Sequence, residues 1–343
     1  MRIDTFFKKG QKFLGCAFPI ICGAMTWISD HKLVSAVGNA GGFGMIAGGN
    51  LPAEDLRKEI AQTREHTDKP FGVNLITGAA CYREQLEIVC ASDCRVIMFA
   101  GAFPRKPEIQ MARDAGAKVI CSAPTAPWAR RLIRMGVDAL LLEGSEAGGH
   151  IGPVSLSVLI QQILFGVETL PIFVAGGIAT GRMMAHLLMM GAAGIQMGTK
   201  FVMSTECKAH PNFKEAFKNA KAREAVSPSQ MDRRLPVIPV RILKNEAAVA
   251  FSKLQLDLLK KLEINSIPLH EAQSAVECFW AGALKKAALD GDIETGSLMA
   301  GQSVGLVDKI QSVREIIDEM IATAEKEVQR LHHILNPPDE PGH

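Results

Sequence analysis

Short apolar runs alternate with longer amphipathic stretches from Pro19 to about Val202. Short apolar runs bounded by turn residues are typical of buried parallel strands, and the longer stretches follow the helical period. The apolar runs predict eight strands, at Pro19 to Gly23, Phe43 to Ala47, Phe71 to Ile76, Arg95 to Ala100, Lys118 to Ser122, Ala139 to Glu143, Pro171 to Ala175 and Gly194 to Met197. Intervening helices are predicted at Ala53 to His66, Tyr82 to Ala91, Pro107 to Ala115 and Ala126 to Met135.

Eight strands alternating with helices favour a closed (β/α)8 TIM barrel, of α/β class, over an open doubly wound sheet. In this fold the carboxyl ends of the strands form the active face. The last helix position is interrupted, because a polar, proline-dotted stretch follows residue 203. We therefore predict a barrel from residues 1–203 and 270–343, with an inserted helical subdomain or lid at residues 204–269. A helix at Ala275 to Leu289 is expected to return the chain to the barrel, followed by a terminal amphipathic helix at Val313 to Leu331.

Composition excludes several classes of protein. The chain has 343 residues, of which 48% are hydrophobic, so it can bury a large core. Its 38 basic and 36 acidic residues nearly cancel, and no basic block indicates a nucleic-acid or membrane partner. No apolar window is long enough to span a bilayer. The eight cysteines form no CxxC pair or zinc-like cluster, so we expect reduced thiols, no metal and a cytoplasmic location.

A glycine-rich loop after the sixth predicted strand is the first candidate for chemistry. It runs from Glu143 to Gly152 and includes Gly148, Gly149 and His150. The glycines allow close approach of backbone to a planar ligand, and an imidazole suits proton transfer near neutral pH. We interpret His150 as catalytic; the alternative is a loop histidine satisfied by its neighbours. For Glu146 a functional role and a charge that is merely solvated are equally good interpretations.

Two further turns predict a phosphate site. Gly176 and Gly177 follow the seventh strand, and Gly198 and Thr199 follow the eighth. Backbone N–H groups at such glycines coordinate phosphates in many β/α barrels; the alternative is that the glycines only turn the chain. Asn74, Met25, Gln196 and Gln302 are weak candidates singly, and Cys22 is interpreted as a buried, inert thiol.

Several motifs together resemble a known family. They are Asn39 to Gly44, Pro70 to Asn74, Glu143 to Gly152, Ala175 to Ile178 and Gln196 to Thr199. With them, the chain from about Pro19 to Val307 resembles the flavin-dependent family of nitronate monooxygenases and FabK-type enoyl-acyl-carrier-protein reductases. The resemblance implies FMN across the barrel mouth, His150 as the catalytic residue, and a homodimer. The cofactor-binding residues that it implies are Gly23, Ala24, Met25, Asn74, Glu143, Gly148, Gly149, Gly176, Gly177, Gln196, Gly198, Thr199, Met299 and Gln302.

The branch of the family is decided by fewer residues. The reductases are similar to this chain in several segments, including Gly23 to Ile28 and Gly296 to Leu306. The chain departs from the reductase pattern at Ala24 and in the stretch Ser227 to Val240. The reductase branch implies NADH or NADPH as reductant, a small-molecule or carrier-bound enoyl thioester of fatty-acid synthesis as substrate, and in some members a response to monovalent cations. The first alternative is a nitronate monooxygenase that uses oxygen, and the second is a barrel that binds a phosphorylated ligand without turnover.

Overall fold

The fold was analysed in a computed structural model that describes residues 2–101, 103–235 and 239–337. The described part leaves out residues 1, 102, 236–238 and 338–343, which fall within predicted ranges. A closed barrel of eight parallel strands forms the centre, in the order β1-β2-β3-β4-β5-β6-β8-β9. Its strands are β1 (Ile20–Cys22), β2 (Phe43–Ala47), β3 (Gly72–Ile76), β4 (Val96–Ala100), β5 (Lys118–Ser122), β6 (Ala139–Glu143), β8 (Ile172–Ala175) and β9 (Gly194–Met197). The predicted TIM barrel and all eight predicted strands are confirmed.

Thirteen α-helices lie in the described part of the chain. They are α1 (Lys8–Leu14), α2 (His31–Asn39), α3 (Ala53–His66), α4 (Tyr82–Ala91), α5 (Lys106–Asp114), α6 (Ala126–Met135), α7 (Leu156–Gln162), α8 (Gly181–Met189), α9 (Thr199–Val202), α10 (Pro211–Asn219), α11 (Glu246–Glu263), α12 (Leu269–Lys285) and α13 (Val313–Leu335). Positive φ angles end two of them, at Gly15 after α1 and Gly136 after α6. Glycine adopts this conformation at little cost, so these residues terminate the helices.

The amino-terminal helix closes one end of the barrel. Phe13 and Leu14 of α1 belong to the same buried cluster as the inward-facing strand residues. The ring of Phe13 packs 5.6 Å from that of Phe173, centroid to centroid, and the ammonium of Lys118 lies 4.9 Å from the Phe13 centroid. Because this end is filled, a ligand has access only from the carboxyl ends of the strands.

The helix that completes the barrel is α13, whereas the segment Ala275 to Leu289, predicted to return the chain to the barrel, divides between two cores. Leu284, Ala287 and Ala288 join the main core, and Val276 and Trp280 belong to a separate cluster. Helix α13 packs against α8 and α2, which flank the gap left after β9. Its buried residues Ile317 and Met320 join the main core, and Arg314 donates to the carbonyl of Ala40 beside α2. An amphipathic helix so far along the chain is not recognisable from sequence as a barrel helix, because the contacts that place it are long-range.

The region after residue 203 divides between two cores. Phe213 and Phe217 of α10 join the main barrel core, whereas Phe251 of α11 and Trp280 of α12 form a separate cluster. Two short strands of this region, β10 (Ala225–Val226) and β11 (Val240–Leu243), pair antiparallel. Strand β11 also pairs antiparallel with β7 (Gly149–His150), which belongs to the loop after β6. The insertion is thereby joined to the candidate catalytic loop. The limits of the inserted subdomain stay a prediction.

Three general features concern the described residues only. None of their helices is long and apolar enough to cross a membrane. They contain no group of three or more His, Cys, Asp or Glu side chains arranged to hold a metal ion. All eight cysteines are free thiols.

The close approach of α8 to α13 yields a test of the fold. A Cβ at Gly181, the first residue of α8, would collide with the carbonyl oxygen of Met320. We expect Gly181→Ala to lower the free energy of unfolding by about 1–3 kcal/mol, since overpacking forces the helices apart. Urea denaturation measures the change. Gly282→Ala in α12, where a Cβ would meet no atom within 4 Å, is the matched control and should be neutral or slightly stabilising. Equal losses in both variants would contradict this account.

Candidate active site

Strand alternation brings polar side chains to the open end of the barrel. Ile21, Leu141 and Phe173 face the interior, and their neighbours in sequence face the helices. Side chains two residues apart on a strand point to the same side, so Glu143 lies above Leu141 in the interior. By the same rule Asn74 and Gln196 face inward, since their neighbours Val73 and Ile195 belong to the outer core. A polar layer therefore lies on top of an apolar barrel filling.

Gln196 presents an unsatisfied acceptor in this layer. Its side-chain oxygen Oε1 is buried and has no hydrogen-bond partner among the described residues. The side chain lies against Gly23, where a Cβ would come within 3.1 Å of Cδ of Gln196. A buried amide oxygen without a donor is uncommon in folded proteins and indicates a ligand that supplies the missing N–H. Gly23 is required because a larger residue would displace the amide.

Glu143 is a second polar group without a partner. Its side chain hydrogen bonds to none of the described residues, although it closes β6 next to Ala175. Burial raises the pKa of Glu143 to about 7, because the carboxylate loses its hydration. Near neutral pH the group therefore exists partly as a carboxylic acid, which can donate a hydrogen bond.

The loop that carries His150 is held by the insertion. His150 pairs with Val240 of β11, and the N–H of Ile151 donates to the carbonyl of Pro239 at 2.8 Å. Arg241 donates to the carbonyl of Ser145 from Nε at 3.0 Å and Nη2 at 2.8 Å, and to that of Ala225 from Nη1 at 2.7 Å. One guanidinium thus ties the loop after β6 to β10.

His150 lies where the loop after β6 meets β11. Its residue is exposed, yet desolvation by the surrounding protein lowers its pKa. A lowered pKa keeps the ring neutral at pH 7, with one nitrogen that donates and one that accepts.

The glycine turn after β8 has the geometry of an anion site. Gly176 and Gly177 have φ angles of 98° and 71°, a backbone conformation that favours glycine. The N–H groups of Gly176, Gly177 and Ile178 donate to no acceptor among the described residues. Successive free N–H groups in such a turn form a concave site for an anion.

Further loops close around these groups. The hydroxyl of Thr199 accepts from the N–H of Gly301 at 3.1 Å, and the N–H of Gln302 donates to the carbonyl of Glu146 at 2.9 Å. A Cβ at Gly148 would strike the backbone of Gly301, so only glycine fits there. The loops after β6 and β9 and the segment near residue 301 form one connected rim.

The sulfur atoms of two predicted site residues, Met25 and Met299, lie near this rim. A Cβ at Gly198 would lie 3.4 Å from Sδ of Met25, and one at Gly149 would lie 3.6 Å from Sδ of Met299. Ala24, next to Met25, packs against the barrel interior. The predicted site residues therefore all lie at the carboxyl end of the barrel, although they come from distant parts of the sequence.

Two predictions about single residues are decided by their surroundings. Glu146 accepts from the N–H of Leu156 at 3.1 Å through Oε2, so it stabilises the amino end of α7. Cys22 is fully buried, and burial raises the pKa of its thiol well above the usual range. A thiol of this kind is a poor nucleophile, as the sequence interpretation expected.

Sequence reasoning missed Arg241 and Lys221. Arg241 lies on a short strand whose partners are not evident from sequence. Lys221 is exposed and lines a cavity of about 360 Å³ together with Gly177 and Gln302. Its ammonium group makes no ion pair with the described residues, so it is available to an anion beside the glycine turn. Neither residue stands in a motif, and only the fold places them here.

The comparisons with known proteins agree with this arrangement. A family model described as nitronate monooxygenase matches residues 8–85 and 76–323. The chain belongs to the nitronate monooxygenase family. It is an oxidoreductase of this family, whose members are flavin-dependent.

Two proteins with solved structures have the same fold. FabK from Thermotoga maritima is 35% identical, with a TM-score of 0.83, and the match covers 94% of this chain and 98% of that one. Nitroalkane oxidase from Streptomyces ansochromogenes is 25% identical, with a TM-score of 0.76 over 92% of this chain and 98% of the other. The chain is similar to both.

A curated relative has a name that denotes a coenzyme A thioester. It is (3aS,4S,5R,7aS)-5-hydroxy-7a-methyl-1-oxo-octahydro-1H-indene-4-carboxyl-CoA dehydrogenase of Mycobacterium tuberculosis, 29% identical over 91% of this chain and 94% of the relative. A probable nitronate monooxygenase of Staphylococcus saprophyticus is 26% identical over 92% and 97%.

The residues at the mouth fit FMN. The free N–H groups of Gly176, Gly177 and Ile178 suit a phosphate, and the orphaned oxygen of Gln196 suits an N–H of the flavin ring. The acid at Glu143 suits a ring or ribityl acceptor. The donor set therefore complements a phosphorylated ligand that also has N–H and carbonyl groups.

The raised pKa of Glu143 predicts a pH-dependent cost to stability. The pKa of Glu143 in the folded protein lies above its value in the unfolded chain. The contribution of the protonated carboxyl to the free energy of unfolding is therefore complete below about pH 4.5 and is lost as pH rises through about 7. We expect Glu143→Gln to stabilise the ligand-free protein at pH 8, by at most about 3 kcal/mol, and to have little effect at pH 4.5. Urea denaturation at both pH values measures this. A Glu146→Gln control should lose stability instead, and an equal effect of Glu143→Gln at both pH values would refute the assignment.

Proposed function

We propose that the protein is an FMN-dependent enoyl-thioester reductase that uses NADH or NADPH. The observation that carries the proposal is the position of His150, an exposed imidazole held where the loop after β6 pairs with β11 of the insertion. The similarity to FabK and to a carboxyl-CoA dehydrogenase supports a thioester as substrate. The same relatives favour a protein that acts on acyl groups over a barrel that only binds a phosphorylated ligand.

In this proposal FMN supplies hydride transfer to the β-carbon of the enoyl thioester. Gly176, Gly177 and Thr199 would hold its phosphate, with Lys221 adding a positive charge. Gln196 and Asn74 would orient the ring from below, since both side chains lie in the polar layer of the barrel. At the rim, the flavin ring would be in contact with Met25 and Gly149, and Met299 lies beside Gly149.

His150 would act on the thioester itself. Hydride addition at the β-carbon leaves negative charge on the thioester oxygen, and an N–H of the neutral imidazole stabilises this charge by donating to it. The α-carbon then takes a proton from one ring nitrogen of His150 while the other ring nitrogen accepts a proton from water, so the imidazole stays neutral and the proton comes from solvent. The open position of the ring suits this exchange, whereas a fully buried histidine would lack a proton supply.

Nitronate oxidation is the second candidate, and the neutral state of His150 favours it. A neutral imidazole has a free lone pair, so it is able to remove a proton from the carbon that bears the nitro group of a neutral nitroalkane and to form the nitronate that is then oxidised. The family model and the similarity to nitroalkane oxidase support this chemistry. The two reactions differ in their needs, since only the reductase consumes NADH or NADPH.

One assay in two parts separates the reactions. Purified protein is reduced anaerobically with NADH or NADPH, and crotonyl-coenzyme A is then added while flavin absorbance is followed. We expect the thioester to restore the oxidised spectrum within turnover time. A flavin that is reduced but never reoxidised by the thioester would refute the reductase. Oxygen uptake with propyl nitronate, without a nicotinamide, would instead establish the second candidate.

Replacement of His150 tests the assigned proton transfer. We expect His150→Ala to keep its flavin and to lose about 10²- to 10⁴-fold in turnover, the usual contribution of a general acid or base. The absorbance of the purified variant measures flavin content, and steady-state kinetics measure turnover. His66→Ala changes an exposed histidine of α3 and serves as the control. Loss of flavin from His150→Ala would mean that the residue is structural.

A further inference from the structure

The insertion contains a cavity of its own beside the catalytic loop. Its volume is about 220 Å³, below the roughly 300–1,000 Å³ of sites that enclose a whole small-molecule ligand. It therefore suits a segment of a longer ligand. The lining residues are mostly apolar, and they are Ser227, Pro228, Ser229, Gln230, Pro239, Val240, Phe251 and Trp280.

The cavity and His150 lie on the same side of one small sheet. Val240 lines the cavity and is the direct partner of His150 in the antiparallel pair of β11 and β7. Directly opposed residues in such a pair project to the same face, with Cβ atoms about 4.5–5.5 Å apart. A ligand that touches His150 is therefore able to extend past Val240 into the cavity.

One residue that lines the cavity has a buried polar group without a partner. Trp280 is 3% exposed, and its Nε1 forms no hydrogen bond with the described residues. Its ring is fixed by Phe251 at 4.5 Å and Phe279 at 5.0 Å, centroid to centroid. An indole N–H only donates, so the group that satisfies it must be an acceptor such as a carbonyl oxygen.

The opposite wall is held in place by a buried side chain. Gln255 is fully buried, and its Nε2 donates to the carbonyl of Ser229 at 3.1 Å while its Oε1 accepts from the N–H of Met231 at 2.9 Å. Residues 227–230, in the stretch where the sequence departs from the reductase pattern, belong to this wall. Gln255 thus fixes part of the cavity lining.

We propose that this cavity binds the pantetheine arm of the thioester substrate, with Trp280 Nε1 donating to an amide carbonyl of the arm. The inference rests on the proposed function and names the part of the substrate that the insertion recognises. A pantetheine arm alternates methylene groups with amides, which matches apolar walls and a single donor. A saturated acyl chain offers no acceptor and would leave the indole N–H unsatisfied.

The test removes only the N–H. Trp280→Phe keeps an aromatic ring and is compared with wild type in the FMN-loaded enzyme, using crotonyl-pantetheine and S-ethyl thiocrotonate as substrates. We expect KM for crotonyl-pantetheine to rise about 5- to 10-fold, the loss of one hydrogen bond, with kcat unchanged. KM for the ethyl thioester, which has no amide, should not change. A rise of the same size for both thioesters, or one that grows with acyl chain length, would overturn the proposal.

Binding of pantetheine alone separates this inference from the proposed reaction. Calorimetric titration of the FMN-loaded protein with pantetheine requires no turnover, and we expect affinity to fall about 5- to 10-fold in Trp280→Phe. Wild-type binding without reduction of any crotonyl thioester would refute the reductase and leave the cavity assignment standing. Absence of pantetheine binding in wild type would refute the cavity assignment, whatever the enzyme reduces.

A second variant guards against misfolding of Trp280→Phe. Ser229→Leu fills the cavity from its exposed rim without touching the carbonyl that Gln255 holds. We expect it to weaken pantetheine binding as well. Ser157→Leu, an exposed serine of α7 outside the cavity, is the matched control and should bind pantetheine like wild type. Wild-type affinity in Ser229→Leu would also overturn the proposal.

Discussion

Closure of the parallel sheet determines which side chains reach the mouth of this protein. A closed barrel has a single interior, so alternate residues of every strand must fill it. Below the mouth these positions are apolar, as at Ile21, Leu141 and Phe173, and α1 seals the far end. At the carboxyl ends the same alternation brings Asn74, Glu143 and Gln196 together, although they are far apart in sequence. The polar floor of the site is thus a consequence of barrel geometry.

The insertion supplies the wall that the barrel lacks. It extends a strand, β11, to the loop after β6, and Arg241 joins that loop to β10 through three hydrogen bonds. His150 is fixed at this junction, and its residue is exposed. The insertion therefore contributes directly to the surroundings of the residue proposed to act on the substrate.

Polar groups without a partner occur both in the barrel floor and in the insertion. Among the described residues, Gln196 and Trp280 each have a buried polar atom without a partner, and Glu143 is a carboxyl group without a hydrogen bond. Such groups lower stability, since their hydration is lost and nothing among the described residues replaces it. A ligand that supplies the missing partners would remove this cost, which is the physical basis for the two binding proposals.

The sequence alone determined the barrel and the residues proposed for the site. Apolar periodicity located all eight barrel strands, and glycine at strand ends located the turns of the candidate anion site, because both signals are local. It did not show that Ala275 to Leu289 divides between two cores, and it missed Arg241, Lys221 and strand β11. Only the tertiary structure decided that α13 completes the barrel and that Val240 lies opposite His150. Those outcomes depend on pairing between residues distant in the chain, and no local pattern encodes which distant segment fills a given gap.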